Sequence, residues 1–150
     1  MAISMLKRAL LLFWAVWLTF VVAGNVCDAL KELGFLGAEW QFASGNYEAI
    51  VKTTGRYPTP EWLNAVLFAG VIVWEAATAA LFWLAWWDAG REGAKESRYM
   101  PAAFLLSVGL WSAFVIADEI CVAYPLVAVH FRILIASLAS LLTIYVLPDE

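Results

Sequence analysis

Between Trp62 and Trp87 the chain reads WLNAVLFAGVIVWEAATAALFWLAWW, an apolar run broken by a single acid, Glu75, near its middle. At about 1.5 Å of helical rise per residue such a run crosses a hydrocarbon core of about 30 Å with residues to spare. An ionised carboxylate facing lipid at that depth costs several kcal/mol or more, roughly 3 by insertion scales. Glu75 must therefore face protein, water or a partner charge, or stay protonated. Finding it a partner is the main constraint on how the other apolar segments are arranged.

Three further segments have membrane length. The expected spans cover residues 8–28, 61–87, 100–120 and 125–146. The fold class expected is all-α: a single four-span membrane domain, residues 1–150, built as a helix bundle. Its composition, 64% hydrophobic with nine tryptophans, lies far from that of soluble domains and supports this reading. The first span also resembles a secretory signal, with Lys7 and Arg8 before an apolar stretch and Ala23 and Gly24 near its end. The stretch is long for a signal core, so a retained helix is expected.

A connector, residues 29–59, joins the first two spans and is rich in Leu33, Phe35, Trp40, Phe42 and Tyr47. A loop of that length and composition is expected to fold down on the bundle as a cap. Within it Asn46 is placed to cap a short helix from Tyr47 to about Thr54, with Gly55 closing it. Thr59-Pro60-Glu61 reads as the start of the second span, with a capping hydroxyl and proline at the first helical position. Trp83, Trp86 and Trp87 suit an aromatic belt. Ala76, Ala77, Ala79 and Ala80 suit close helix approach.

Lysine and arginine counts set the orientation. Lys7, Arg8, Arg91, Lys95 and Arg98 lie on one side, against Lys31, Lys52 and Arg56 on the other. Both termini are thus expected in the cytoplasm and the connector outside, in a bacterial inner membrane. With that topology Asn25, Cys27, Asp28, Asp118, Glu119 and Cys121 share the outer ends of their spans. His130 and Arg132 lie about 8–11 Å inward along the fourth span, and Glu75 about 20 Å inward along the second. The expected arrangement is an ion pair or water-bridged contact between Glu75 and Arg132. His130 and Asp118 or Glu119, with Asn25 and Asp28, would complete a buried polar cluster. The plainer alternative is that these groups only neutralise one another and fix helix register. Asn25 and Asp28 have a plain reading too, as helix-end residues that meet interfacial water.

Ser107, Trp111, Phe114 and Asp118 fall on one helical face, and His130, Ser137 and Ser140 on another. Cys27 and Cys121 could form a disulfide between the first and third spans; two free thiols are the alternative. Two cysteines and one histidine cannot supply a zinc ribbon, a cysteine-ligated iron–sulfur cluster or a bis-histidine haem within one copy. No metal or other cofactor is expected, and no nucleophile sits in a recognisable catalytic motif. The net charge of -4 without a basic cluster gives nucleic acid nothing to hold.

At Trp74-Glu75, followed by Thr78-Ala79, the chain resembles a bacterial family of predicted small integral membrane proteins. The resemblance also draws on Asn25 and Asp28 closing the first span, the Phe42 region, Arg132, and the ending Leu147-Pro148-Asp149. It covers most of the chain. It implies four spans, a long first connector, a Trp-Glu pair in the second span and an arginine in the fourth, and no activity. The third turn departs from it, since Asp118-Glu119-Ile120-Cys121 leads almost directly into the last span. The expected function is that of a non-catalytic subunit or accessory protein of a larger membrane assembly, an electron-transfer complex being one candidate. Its partners would be the bilayer and other membrane subunits. The rival is a bundle that binds or transports a proton, a quinone headgroup or a small solute through Glu75, His130 and Arg132.

Overall fold

A computed structural model describes residues 2–91 and 97–148 of the chain. Lys95, used for orientation, and Asp149 of the terminal motif lie outside the described residues. Among those described there are five helices and no strand: α1 (Ala2–Glu32), α2 (Asn46–Thr54), α3 (Glu61–Asp88), α4 (Met100–Ile120) and α5 (Tyr124–Val146). All but α2 are long and apolar enough to cross a membrane.

α1 runs past its expected end at residue 28 because nothing breaks it before Gly34. There the chain takes a left-handed turn, φ 75°. The N–H of Gly34 donates to the carbonyl of Lys31 and that of Phe35 to Leu30, both at 2.9 Å. This paired closure satisfies the last carbonyls of the helix and is the kind glycine favours. The α4–α5 turn closes in the same way without a glycine. Val122 holds φ 55°, and Ala123 N donates to Asp118 O at 2.8 Å.

Two helix starts differ from expectation. Gly45, not Asn46, occupies the cap position of α2, and Pro60, not Thr59, that of α3. Both hydrogen-bonding side chains are engaged elsewhere. Asn46 Nδ2 donates to Asn25 Oδ1, and Thr59 Oγ1 donates to Thr54 O. Gly55 does close α2, in right-handed geometry.

α1 lies antiparallel to α3. Arg8 sits over the Trp86 ring, Trp83 Nε1 donates to Thr19 Oγ1, and Asn25 meets Glu75. α3 packs on α4 and α4 on α5, while α1 scarcely touches α5. The core is a layer of interlocked rings: Trp14 against Phe82 at 6.2 Å, and Phe82 edge-on to Phe104 at 5.0 Å. Ala15, Ala79, Ala85 and Ala103, all buried, admit those rings by bringing backbones together. Of the four alanines expected at a helix interface, only Ala79 is buried; Ala76, Ala77 and Ala80 are exposed.

Candidate functional site

Glu75 lies fourteen residues into α3, about 21 Å along the helix. Its side chain is 2% exposed and faces α1. Asn25, fully buried, donates from Nδ2 to Glu75 Oε2 at 2.6 Å. Its carbonyl Oδ1 accepts from Asn46 Nδ2, at the start of α2, at 2.8 Å. One amide therefore joins the carboxyl group of α3 to the connector. Asp28, one helical turn on from Asn25, takes the connector on a second line: its Oδ2 accepts from Ser44 Oγ at 3.0 Å and from Tyr47 N at 2.9 Å. A carboxylate from α1 thus caps the first turn of α2, where free N–H groups and the helix dipole favour an acid. Ser44 N donates to Gly24 O at 3.2 Å, which pins the loop backbone to α1.

The remaining polar residues form a separate group on α4 and α5. His130 Nδ1 and Asp118 Oδ2 are 2.6 Å apart, and Phe114 stacks on the imidazole at 4.7 Å. Deeper along the same seam Ser107 and Ser137 share a hydrogen bond of 3.1 Å. The serine, tryptophan and aspartate expected on one face of α4 are all buried. Ser140 instead bonds the carbonyl of Ala136 on its own helix.

The expected single cluster is therefore divided. Glu75 and Arg132 do not meet: Glu75 turns toward α1, while Arg132 is exposed on α5, with no hydrogen bond or ion pair among the described residues. Glu119 is exposed as well. The reason is register. Trp74, not Glu75, faces α4, its Nε1 donating to Leu106 O at 3.1 Å, and α4 stands between α3 and α5. Asn25 and Asp28 are not helix-end residues meeting water, because α1 continues beyond them. Cys27 and Cys121 are free thiols, each half-buried. Sequence reasoning missed Ser44, and gave Asn46 only a helix-capping role, not its bond to Asn25. The signal was the absence of any helix breaker between Asn25 and Gly34, which carries α1 on and brings the loop back beside it.

A cleft of about 300 Å³ opens between α1 and the connector, with Phe20, Val21, Gln41 and Phe42 on its walls and Asn25, Ser44 and Asn46 at its polar side. On the other side of Glu75, two to three turns toward the opposite end, Leu18, Trp14 and Phe82 are almost wholly buried, and the buried Thr78 one turn on donates to the Trp74 carbonyl of its own helix.

Residues 3–123 match the family described as predicted small integral membrane protein (DUF2165). The chain belongs to this family. It is a small integral membrane protein, and the DUF2165 match covers α1 through α4 together with the connector. It stops at the turn before α5, so Arg132 and the terminal Leu147-Pro148 lie beyond it. That boundary falls at the third turn. No curated protein and no solved structure matches the chain.

Proposed function

We propose that the protein is a non-catalytic accessory component of a larger membrane assembly, with its termini in the cytoplasm and its connector on the outer face. In this reading Glu75 is a latch. The observation that carries it is the chain of amides Asn46–Asn25–Glu75, which spends the buried acid on tying the connector and α1 to α3. The ring layer on the far side of Glu75 supports the same reading, since a conduit needs polar groups or water at both ends. Arg132, exposed on a helix with few buried residues, is a group for a neighbouring subunit to engage. Electron-transfer complexes are one class of assembly with such small subunits.

Extraction from native membranes in a mild detergent, followed by native mass spectrometry, tests this. The chain is expected in fixed ratio with larger subunits. Glu75→Gln, which can still bond Asn25, is expected to keep that ratio, and Glu75→Leu to lower it. Recovery of the chain alone, with a solute or proton flux that Glu75→Gln abolishes, would overturn the proposal.

The cleft beside Asn25 favours a second reading, in which a small solute or quinone headgroup binds there from the connector side. A quinone analogue that protects the folded chain against heat, and fails to protect Asn25→Leu beyond its own lower stability, is the outcome this reading requires.

A further inference from the structure

We infer that the segment from Leu33 to Phe42 is a membrane anchor, folding back along the outside of α1 and setting its large side chains into lipid at the boundary between hydrocarbon and headgroups. This holds whether or not the chain is an accessory subunit, since it requires only that the four long helices cross a bilayer.

The path of the backbone is the first argument. α1 ends at Glu32, yet Ser44 N returns to Gly24 O, eight residues earlier, so the chain comes back by about 12 Å along the helix. Gly24 precedes Asn25, and Asn25 meets Glu75 in the middle of α3. The returning segment therefore lies beside residues 24–32 of α1, not above the end of the helix.

The side chains are the second argument. Leu33 is 70% exposed, Phe35 75%, Trp40 47% and Phe42 48%. The aromatic residues expected to cover the bundle do not do so in this part of the connector. α2 does pack down, through Tyr47 on Phe68 and Thr54 on Asn64, and beyond it Tyr57 Oη donates to Ile120 O at 2.6 Å. Four large apolar groups left out in water have no compensation, whereas tryptophan and phenylalanine at a lipid boundary do.

The third argument is independent of both. Irregular backbone is tolerated near hydrocarbon only when the protein itself satisfies its polar groups. Here Lys31 Nζ donates to the carbonyls of Ala38 and Trp40, at 3.2 and 3.0 Å. Trp40 Nε1 donates to Phe42 O at 3.0 Å, and Trp40 N to Gly37 O at 3.0 Å. Side chains that would ordinarily face water are turned onto the loop's own carbonyls. Glu32 and Glu39, both exposed, set the limit of insertion: they belong among headgroups, which keeps the segment at the boundary and out of the centre.

Spin labels at Phe35→Cys and Trp40→Cys, in full-length chain carrying Cys27→Ser and Cys121→Ser, give the test in phosphatidylethanolamine–phosphatidylglycerol vesicles. Relaxation by oxygen, which partitions into lipid, is compared with relaxation by a water-soluble nickel chelate. A label at Val73→Cys on the exposed face of α3 provides the lipid reference, and one at Arg56→Cys, just past α2 and beside Tyr57 at the end of α4, the aqueous reference. The two loop labels are expected between these references and on the oxygen side. Values equal to those at Arg56 would mean an aqueous loop, and shielding from both reagents a protein-covered one; either overturns the inference. In the unsubstituted chain, a carbene-generating phospholipid is expected to label peptides containing residues 33–42. Absence of label there, with α3 labelled, counts equally against it.

Discussion

The α1–α3 half and the α4–α5 half use polar groups in opposite ways. In the first, one buried acid is bonded through one buried amide to a third segment, so that residues 25, 46 and 75 hold together parts of the chain distant in sequence. In the second, Asp118 and His130 face each other across a three-residue turn, and their bond joins neighbours that the turn already holds together. The difference shows in burial. α3 buries Asn64, Glu75 and Thr78 along with its apolar core, whereas α5 buries only Ser137 and Ile144. A polar group stabilises a membrane fold most where its loss would strand another polar group away from water. By that measure the latch at Glu75 outweighs the Asp118–His130 contact.

The sharpest way to break this comparison is Asn25→Leu. It leaves the Glu75 carboxyl group buried without its donor and frees Asn46, and is expected to destabilise the fold by about 3 kcal/mol. Unfolding in mixed micelles by a denaturing detergent measures it. A loss no greater than that of Asp118→Ala would erase the contrast between the halves.

Asp118→Ala should cost less, about 1.5 kcal/mol. Its effect should be confined to the ends of α4 and α5 beside residues 121–123 in hydrogen exchange, with the connector amides unchanged. Faster exchange at Tyr47, whose N–H is held by Asp28, would show that the halves are coupled after all.

Val122→Gly should act in the other direction. A β-branched residue at φ 55° is strained, and glycine there is expected to stabilise by about 1 kcal/mol, read as a higher melting temperature in detergent. The smallest effect belongs to the Ser107–Ser137 bond. A double-mutant cycle with alanine at both positions should return a coupling of about 0.6 kcal/mol, the usual size for a hydrogen bond between membrane helices.

Much of this architecture was legible from residue order alone. Predominantly apolar runs of membrane length dictated the all-helical class and the number of long helices, because an unpaired peptide group in hydrocarbon leaves a chain few other forms. Spacing along α4 likewise identified its buried face, with Ser107, Trp111 and Asp118 one above another. Residue order also announced that Glu75 needs company. It could not say whose. Helical rise converts position into depth, but the direction a side chain faces depends on how each helix is rotated against its neighbours. That rotation was decided by the fit of Trp14, Phe82 and Phe104 into alanine-lined gaps, which turned Trp74 to α4 and Glu75 to α1. Arg132 matched the acid in charge and roughly in depth, and lay on the wrong side of α4. Asn25 carries no charge to mark it as the acid's own partner, yet α1 runs on past it and brings Asn46 back to its side, and a neutral amide within reach takes the place a distant cation cannot.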